Sequence, residues 1–209
     1  MLPNNKYIVV VGYSGHAYVM IDAALGMNLK IKGYFEKRKK NLNPFNIKYL
    51  GSEDDKLNLI SYKDYSLCIG IGDNNLRSKI SNNLRKDGFH LINIFHPNSK
   101  ISNNTNFGSG VFVARNAVIN PLCDIGNDVI INTSATIDHE CKISDNSHIA
   151  PGAVLLGNVN IGTNSFIGAN SVIKEGINIG NNVIIGAGSV ILDEVEDNSL
   201  VYGNPGKIQ

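Results

Sequence analysis

The segment from Ile101 to Glu196 repeats with a period of six residues. Every block of six opens with a branched apolar residue or Phe, and no block is longer or shorter than six. This period fits neither an α-helix, at about 3.6 residues per turn, nor a plain β-strand, at about two. It is typical of a parallel β-helix, a solenoid of short strands joined by tight turns. The openers are Ile101, Phe107, Val113, Ile119, Ile125, Ile131, Ile137, Ile143, Ile149, Leu155, Ile161, Ile167, Ile173, Ile179, Ile185 and Ile191.

The fifth residue of each block is small or modest in size. We therefore predict that the opener and the fifth residue point inward, while Gly and Asn supply the turn conformations that other residues resist. At three blocks per coil, the blocks make a little over five coils. Cys123 and Cys141, eighteen residues apart, then stack in the core as ordinary packed side chains.

The residues before the repeat alternate between strand and helix patterns. Predicted strands cover residues 6–11, 31–35, 65–71 and 90–96, and predicted helices cover 17–27, 53–60 and 75–86. Ser52 is the expected N-cap of the second helix. This alternation predicts a small Rossmann-like parallel α/β domain over residues 1–97, followed by the solenoid and a C-terminal cap over 98–209. We expect the α/β domain and the tail to cover the two open ends of the solenoid.

Ligands of a parallel α/β sheet bind at the carboxyl ends of its strands. Three predicted loops meet there, over residues 12–16, 35–37 and 70–73. The first, Gly-Tyr-Ser-Gly-His, lacks the third glycine of a dinucleotide fingerprint, which disfavours hydride chemistry on a dinucleotide. Its place before a helix favours an anionic ligand such as a diphosphate, although a purely structural turn is an equal alternative.

Composition excludes several classes of function. The net charge is +1 and no basic block exists, so a nucleic-acid partner is not expected. No apolar stretch is long enough for a membrane span, and the N-terminus lacks the layout of a signal peptide. The three cysteines have no metal-type spacing, so we expect a reduced, cytoplasmic protein without a metal site.

His139 and Glu140 break the plain composition of the repeat. They occupy the third and fourth positions of their block, where most blocks carry Asn, Gly, Ser or Ala. An imidazole whose second nitrogen is held by a carboxylate suits a general base. A histidine that merely faces solvent is an equal alternative from spacing alone.

His148 lies nine residues after His139, which is half a coil. The two histidines therefore lie on different sides of one prism and approach each other only across a subunit boundary. A three-histidine zinc site is the rival interpretation, and it is disfavoured because only two histidines fall in the repeat.

These motifs together resemble a known enzyme family. The repeat, the pair His139-Glu140 with His148, and the tail Gly203-Asn204-Pro205-Gly206-Lys207 are similar to the left-handed β-helix acyltransferases that use acetyl-CoA. Adding Ser14-Gly15-His16, the segments 70–74 and 132–134, and the domain order, the whole chain resembles bacterial nucleotide-sugar N-acetyltransferases of the PglD/NeuD type. The resemblance implies a left-handed helix, a homotrimer with active sites at subunit interfaces, and a place in glycan biosynthesis.

The resemblance also implies roles for particular residues. His139 becomes the general base, and Glu140 the residue that raises its basicity. Acetyl-CoA binding is implied for His148, Gly157, Ala169 and Ala187. Nucleotide-sugar binding is implied for Ser14, Gly15, His16, Glu36, Lys37 and Gly72. The family often has two acidic residues where this chain has Glu36-Lys37, which leaves uridine, thymidine and guanosine sugars open.

The expected reaction is acetyl transfer from acetyl-CoA to the C4 amine of a nucleoside-diphosphate-linked 4-amino-4,6-dideoxy sugar. No cysteine is placed as a nucleophile, so we expect direct attack by the amine. The alternatives are O-acetylation of a sugar hydroxyl, as in the sialic acid branch, a metal-dependent hydratase, and a non-catalytic nucleotide-sugar binder.

Overall fold

The computed structural model describes residues 7–209 and begins with a four-stranded parallel sheet flanked by helices. Lys6, predicted to open the first strand, lies outside the described residues. The sheet order is β3-β2-β1-β4, with β1 paired in parallel to both β2 and β4. The elements are β1 (Tyr7–Val11), α1 (Gly15–Gly26), β2 (Lys30–Phe35), β3 (Tyr49–Gly51), α2 (Lys56–Ile60), β4 (Ser66–Ile69) and α3 (Asn74–Lys86).

The strand predicted over residues 90–96 was expected to join the α/β sheet, and this prediction is wrong. Only Leu91 forms a bridge to this sheet, with Leu67, whereas Ile94–Phe95 pairs with a strand of the solenoid. Asn93 explains the change of partner, because its carboxamide accepts the Val111 N–H at 2.9 Å and donates to the Gly108 carbonyl. The chain is thereby tied to the first coil before residue 97.

Two other local predictions shift, and one strand is new. The helix α1 begins at Gly15 rather than at residue 17, which makes Ser14 its N-cap. The N-cap of α2 is Asp55 rather than Ser52, because the Asp55 carboxylate accepts the Asn58 N–H. The edge strand β3 was not predicted from the sequence.

The repeat folds into three parallel sheets that we name by their outward faces. The covered sheet consists of Ile94–Phe95, Phe112–Val113, Ile130–Ile131, His148–Ile149, Phe166–Ile167, Ile184–Ile185 and Leu200–Tyr202, with Lys207–Ile208 antiparallel at its end. The valine sheet consists of Lys100–Ile101, Val118–Ile119, Thr136–Ile137, Val154–Leu155, Val172–Ile173 and Val190–Ile191. The polar sheet consists of Asn106–Phe107, Asp124–Ile125, Lys142–Ile143, Asn160–Ile161 and Asn178–Ile179.

Up to Ile191, each strand pairs with the strand eighteen residues further on, as Ile131 does with Ile149, so three blocks make one coil. The last parallel pair, Ile184 with Leu200, has a spacing of sixteen. The openers from Val113 onward and the fifth residues from Val111 onward are buried in one continuous core. Cys123 and Cys141 are both in that core, as predicted. The predicted architecture, an α/β domain followed by a left-handed parallel β-helix, is confirmed.

The three outward faces differ in chemistry. On the polar sheet, the residues before the openers are Asn, Asp or Lys. On the valine sheet, the first is the exposed Lys100, and the next five are Val118, Thr136, Val154, Val172 and Val190, all half-buried in a single chain. On the covered sheet, Phe112 and Ile130 are fully buried, because the α/β domain packs on them.

The α/β domain therefore packs on the side of the solenoid, which corrects the expectation that it covers an open end. Phe112, Ala114 and Ile130 share one apolar cluster with residues of β1 and α1. The tail extends the covered sheet through Leu200–Tyr202 before it turns back. Within residues 7–209, every helix is too short or too polar to span a lipid bilayer.

Candidate active site

The pair His139 and Glu140 lies in the turn between the valine sheet and the polar sheet, which we call the dyad corner. Nδ1 of His139 is 3.0 Å from Oε2 of Glu140, and both side chains are about half exposed. A carboxylate only accepts hydrogen bonds, so we place the ring proton on Nδ1. Nε2 then carries the lone pair, which is the arrangement that a general base requires.

The backbone holds this pair in an uncommon conformation. Glu140 has φ of 62°, in the left-handed region, where the same turn position in other coils is mostly Asn or Gly. A side chain there costs roughly 1 kcal/mol, so the glutamate is an outlier of the kind found at functional sites. Asp138 anchors the turn by accepting the His139 N–H and the Asn120 carboxamide, each at 2.8 Å. These bonds, led by the one from Asn120, lower the pKa of Asp138.

Gly157, in the next coil, lies directly against the His139 ring. A β-carbon at residue 157 would lie 2.5 Å from Cε1 and 2.8 Å from Nε2 of His139. Glycine is therefore required if the ring is to keep its position. The ring borders an open groove of about 460 Å³, lined by Asp138, His139, Leu156, Gly157, Asn158, Glu175 and Gly176.

A second cluster lies where the α/β domain meets the covered sheet. The rings of His16 and His148 are 6.2 Å apart, and a β-carbon on Gly72 would contact His16 at 3.7 Å. Asn132 lies 3.1 Å from Nε2 of His148, whereas Nδ1 of His148 and Nε2 of His16 are buried without a partner. Burial, assisted by the charge of Arg77, lowers the pKa of His148 to about 3 and that of His16 to about 4. Both rings are therefore neutral at pH 7.

The loops after β1 and β2 meet beside this cluster, as predicted. Ser14 and Gly15 are exposed at the start of α1, where no side chain caps the helix. The free N–H groups and the helix dipole make this end attractive to an anion. Glu36 accepts the N–H of Tyr13 at 3.0 Å and that of Lys37 at 3.2 Å, so its carboxylate is tied to the same turn. Lys37 is exposed.

The candidate residues thus fall into two groups that do not meet within one chain. His139, Glu140 and Gly157 lie at the dyad corner, and His148 lies on the covered sheet, the face opposite that corner. Ala169 and Ala187 lie at the corner between the covered and valine sheets, which we call the alanine corner. The valine sheet therefore separates the dyad corner from the alanine corner.

Sequence reasoning missed one buried residue, Arg77 of α3, which is 1% exposed. A helical period of 3.6 places it on the face that also carries Ser81 and Leu84, both buried. That pattern predicts burial, but not the partners of the guanidinium. Within residues 7–209, no three His, Cys, Asp or Glu side chains are grouped so as to hold a metal ion.

Comparison with family models agrees with this two-part architecture. Residues 7–84 match the PglD N-terminal domain, and residues 158–193 match the hexapeptide repeat of succinyl-transferase. The comparison with curated proteins returned no match.

Solved structures align over almost the whole chain. The acetyltransferase domain of PglB from Neisseria gonorrhoeae, in complex with acetyl coenzyme A, is 31% identical with a TM-score of 0.93, and covers 99% of this chain and 100% of its own. The chain belongs to the PglD-type family of nucleotide-sugar N-acetyltransferases.

Two further solved structures of comparable length extend the match. A histidine-to-asparagine variant of perosamine N-acetyltransferase from Caulobacter crescentus, in complex with CoA and GDP-perosamine, is 31% identical with a TM-score of 0.92, over 97% of this chain and 96% of its own. WeeI from Acinetobacter baumannii is 25% identical with a TM-score of 0.86, over 97% of this chain and 100% of its own. The family predicted from the sequence is thereby confirmed.

Proposed function

We propose that this acetyltransferase moves the acetyl group of acetyl-CoA to the C4 amine of a nucleoside-diphosphate-linked 4-amino-4,6-dideoxy sugar, in the cytoplasm. The observation that carries the proposal is the His139–Glu140 pair at 3.0 Å in a chain that matches acetyl-CoA- and GDP-perosamine-bound relatives over almost its full length. The expected domain division, residues 1–97 for the nucleotide-sugar and 98–209 for acetyl-CoA, is part of the proposal.

The chemical step is a direct transfer. The amine nitrogen attacks the thioester carbonyl carbon, a C–N bond forms, and the C–S bond breaks. Nε2 of His139 takes the proton lost by the amine, and the CoA thiolate leaves and is protonated. Glu140 stabilises the imidazolium that forms, because its carboxylate holds Nδ1–H. The backbone N–H of Gly157 would donate a hydrogen bond to the oxyanion. In other enzymes, removing such a donor raises the activation free energy by about 3 kcal/mol.

The nucleotide-sugar would bind to the α/β domain. The uncapped start of α1 at Ser14 and Gly15 suits a diphosphate. Glu36 and Lys37 border the same turn, while His16 and Gly72 lie at its solenoid side. Neutral imidazoles and backbone groups suit the hydroxyl and amine groups of a sugar.

A homotrimer would complete the site. The valine sheet is an uncovered β-branched face with the dyad corner at one edge and the alanine corner at the other. If three valine sheets face a threefold axis, each dyad corner lies beside the alanine corner of the neighbouring subunit. His139 of one subunit then approaches the Ala169, Ala187 and His148 side of the next, and acetyl-CoA lies between them.

The test is a thiol-release assay with acetyl-CoA and a panel of UDP-, dTDP- and GDP-linked 4-amino sugars. We expect turnover with at least one member, and a loss of at least about 100-fold in kcat for His139→Ala with acetyl-CoA binding retained. Near-normal turnover by His139→Ala refutes the assignment of the base. Turnover only with hydroxyl analogues refutes N-acetylation.

A further inference from the structure

Arg77 makes an unusually complete set of hydrogen bonds. A guanidinium has five N–H donors, and all five have an acceptor here. Four of the five acceptors are backbone carbonyls. The bonds run from Nε to the Asp128 carbonyl (2.9 Å), from Nη1 to the carbonyls of Ile71 (3.3 Å) and Gly72 (3.0 Å), and from Nη2 to Asn74 Oδ1 (2.8 Å) and the Asn146 carbonyl (2.6 Å).

These acceptors lie on both sides of the domain boundary. Ile71 and Gly72 form the loop after β4, and Gly72 borders His16 in the second cluster. Asp128 and Asn146 lie in consecutive coils of the solenoid, and Asn146 precedes His148 by two residues. One buried guanidinium therefore joins the loop beside His16 to the coil that carries His148.

Domain attachment alone does not account for this residue. A buried charge is costly, and apolar side chains of similar volume often serve stability equally well. The nearby Asp128 carboxylate does not pair with Arg77, because it receives both Nη atoms of Arg85 instead. Arg85 thus supplies an ion pair between the domains, whereas Arg77 bonds mainly to backbone carbonyls of both domains.

The charge of Arg77 also acts on the second cluster. After burial, it is the next cause that lowers the pKa of both His16 and His148. The guanidinium therefore helps to keep both imidazoles neutral as well as fixing the loop next to them.

We infer that Arg77 is a positioning residue of the nucleotide-sugar site, whose guanidinium holds the Ile71–Gly72 loop in register with the coil of His148. The inference rests on the proposed function. Lysine cannot replace it, because an ammonium has three donors and no planar fork. The role is therefore geometric as well as electrostatic.

The test compares Arg77→Lys and Arg77→Met with Arg85→Met as a matched control. Arg85 lies on the same helix and bonds to Asp128 and Ser109 of the solenoid, but not to the loop. The full-length protein is titrated with UDP and GDP by calorimetry, and KM is measured separately for nucleotide-sugar and acetyl-CoA. We expect both Arg77 variants to weaken nucleotide binding and raise the nucleotide-sugar KM by about tenfold or more, with the acetyl-CoA KM changed less than about twofold.

Arg85→Met should lower the unfolding temperature and leave both KM values within about twofold. Equal changes in the two KM values, or the same KM split in Arg85→Met, would show a merely structural role and overturn the inference. Full rescue by Arg77→Lys would also overturn it. If Arg77→Met does not fold, the two KM values of Arg77→Lys, which keeps the length and charge of the side chain, test the inference. If the wild-type protein binds a nucleoside diphosphate but releases no CoA, the proposed activity is refuted. The calorimetric titration of the Arg77 variants then still tests the role of Arg77.

Discussion

Replacing Gly157 with alanine tests the proposed base without touching a titratable group. The added β-carbon would lie 2.5 Å from Cε1 of His139, where ordinary contacts begin at 3.4 Å. The ring must therefore move by about 1 Å, which disturbs the geometry of its 3.0 Å bond to Glu140. A misplacement of about 1 Å costs on the order of 100-fold in rate, equivalent to about 2.7 kcal/mol of transition-state stabilisation.

The fold should tolerate this change. The φ of Gly157 lies outside the left-handed region, so alanine meets no backbone strain at this position. The His139 side chain is 54% exposed, so its ring has room to swing toward solvent. Since Gly→Ala at a compatible site stabilises by about 0.4–1 kcal/mol, the unfolding temperature should stay level or rise slightly.

The assay is steady-state thiol release, paired with thermal unfolding of the same preparations. Asp193→Ala, at the same corner two coils beyond Gly157, is the control for an altered turn. We expect a large loss of kcat for Gly157→Ala alone, with both variants folded. If Gly157→Ala keeps more than half of the wild-type kcat, His139 is not the base in the position described.

Three further outcomes follow from the geometry. Glu140→Asn should leave the free energy of unfolding in urea unchanged or raise it by up to about 1 kcal/mol, because Asn accepts the left-handed φ of 62°. The same variant should lower kcat, and an unchanged kcat would remove Glu140 from the mechanism. Equal mixtures of His139→Ala and His16→Ala subunits, refolded together, should regain about a quarter of wild-type turnover if each site spans two subunits, and none if sites are intramolecular. Burial lowers the pKa of His16 to about 4 and that of His148 to about 3, so both side chains gain protons on unfolding below pH 6.5. The free energy of unfolding should therefore fall by about 2 kcal/mol per histidine between pH 7 and pH 5. A His16→Asn/His148→Asn double variant whose free energy of unfolding changes with pH as the wild type's does would contradict this.

The fold was largely predictable because its pattern is local. A strict period of six places Ile131 over Ile149 and Cys123 over Cys141 whatever the rest of the chain does, since eighteen residues close one coil. The loops after β1, β2 and β4 meet for a similar reason, because parallel strands end at a common edge. The strand predicted over residues 90–96 failed because its partner was chosen by Asn93 and not by its own apolar pattern.

The sequence by itself therefore determined the solenoid, the α/β domain before it, and the two positions, His139 and Glu140, that depart from the repeat. Only the tertiary structure decided that Gly157 packs on the His139 ring, that His16 faces His148, and that Arg77 bonds to both domains. Period and alternation specify contacts between neighbouring coils and strands. Contacts between residue 77 and residues 128 and 146 depend instead on how one domain packs on another, and no local pattern encodes that packing.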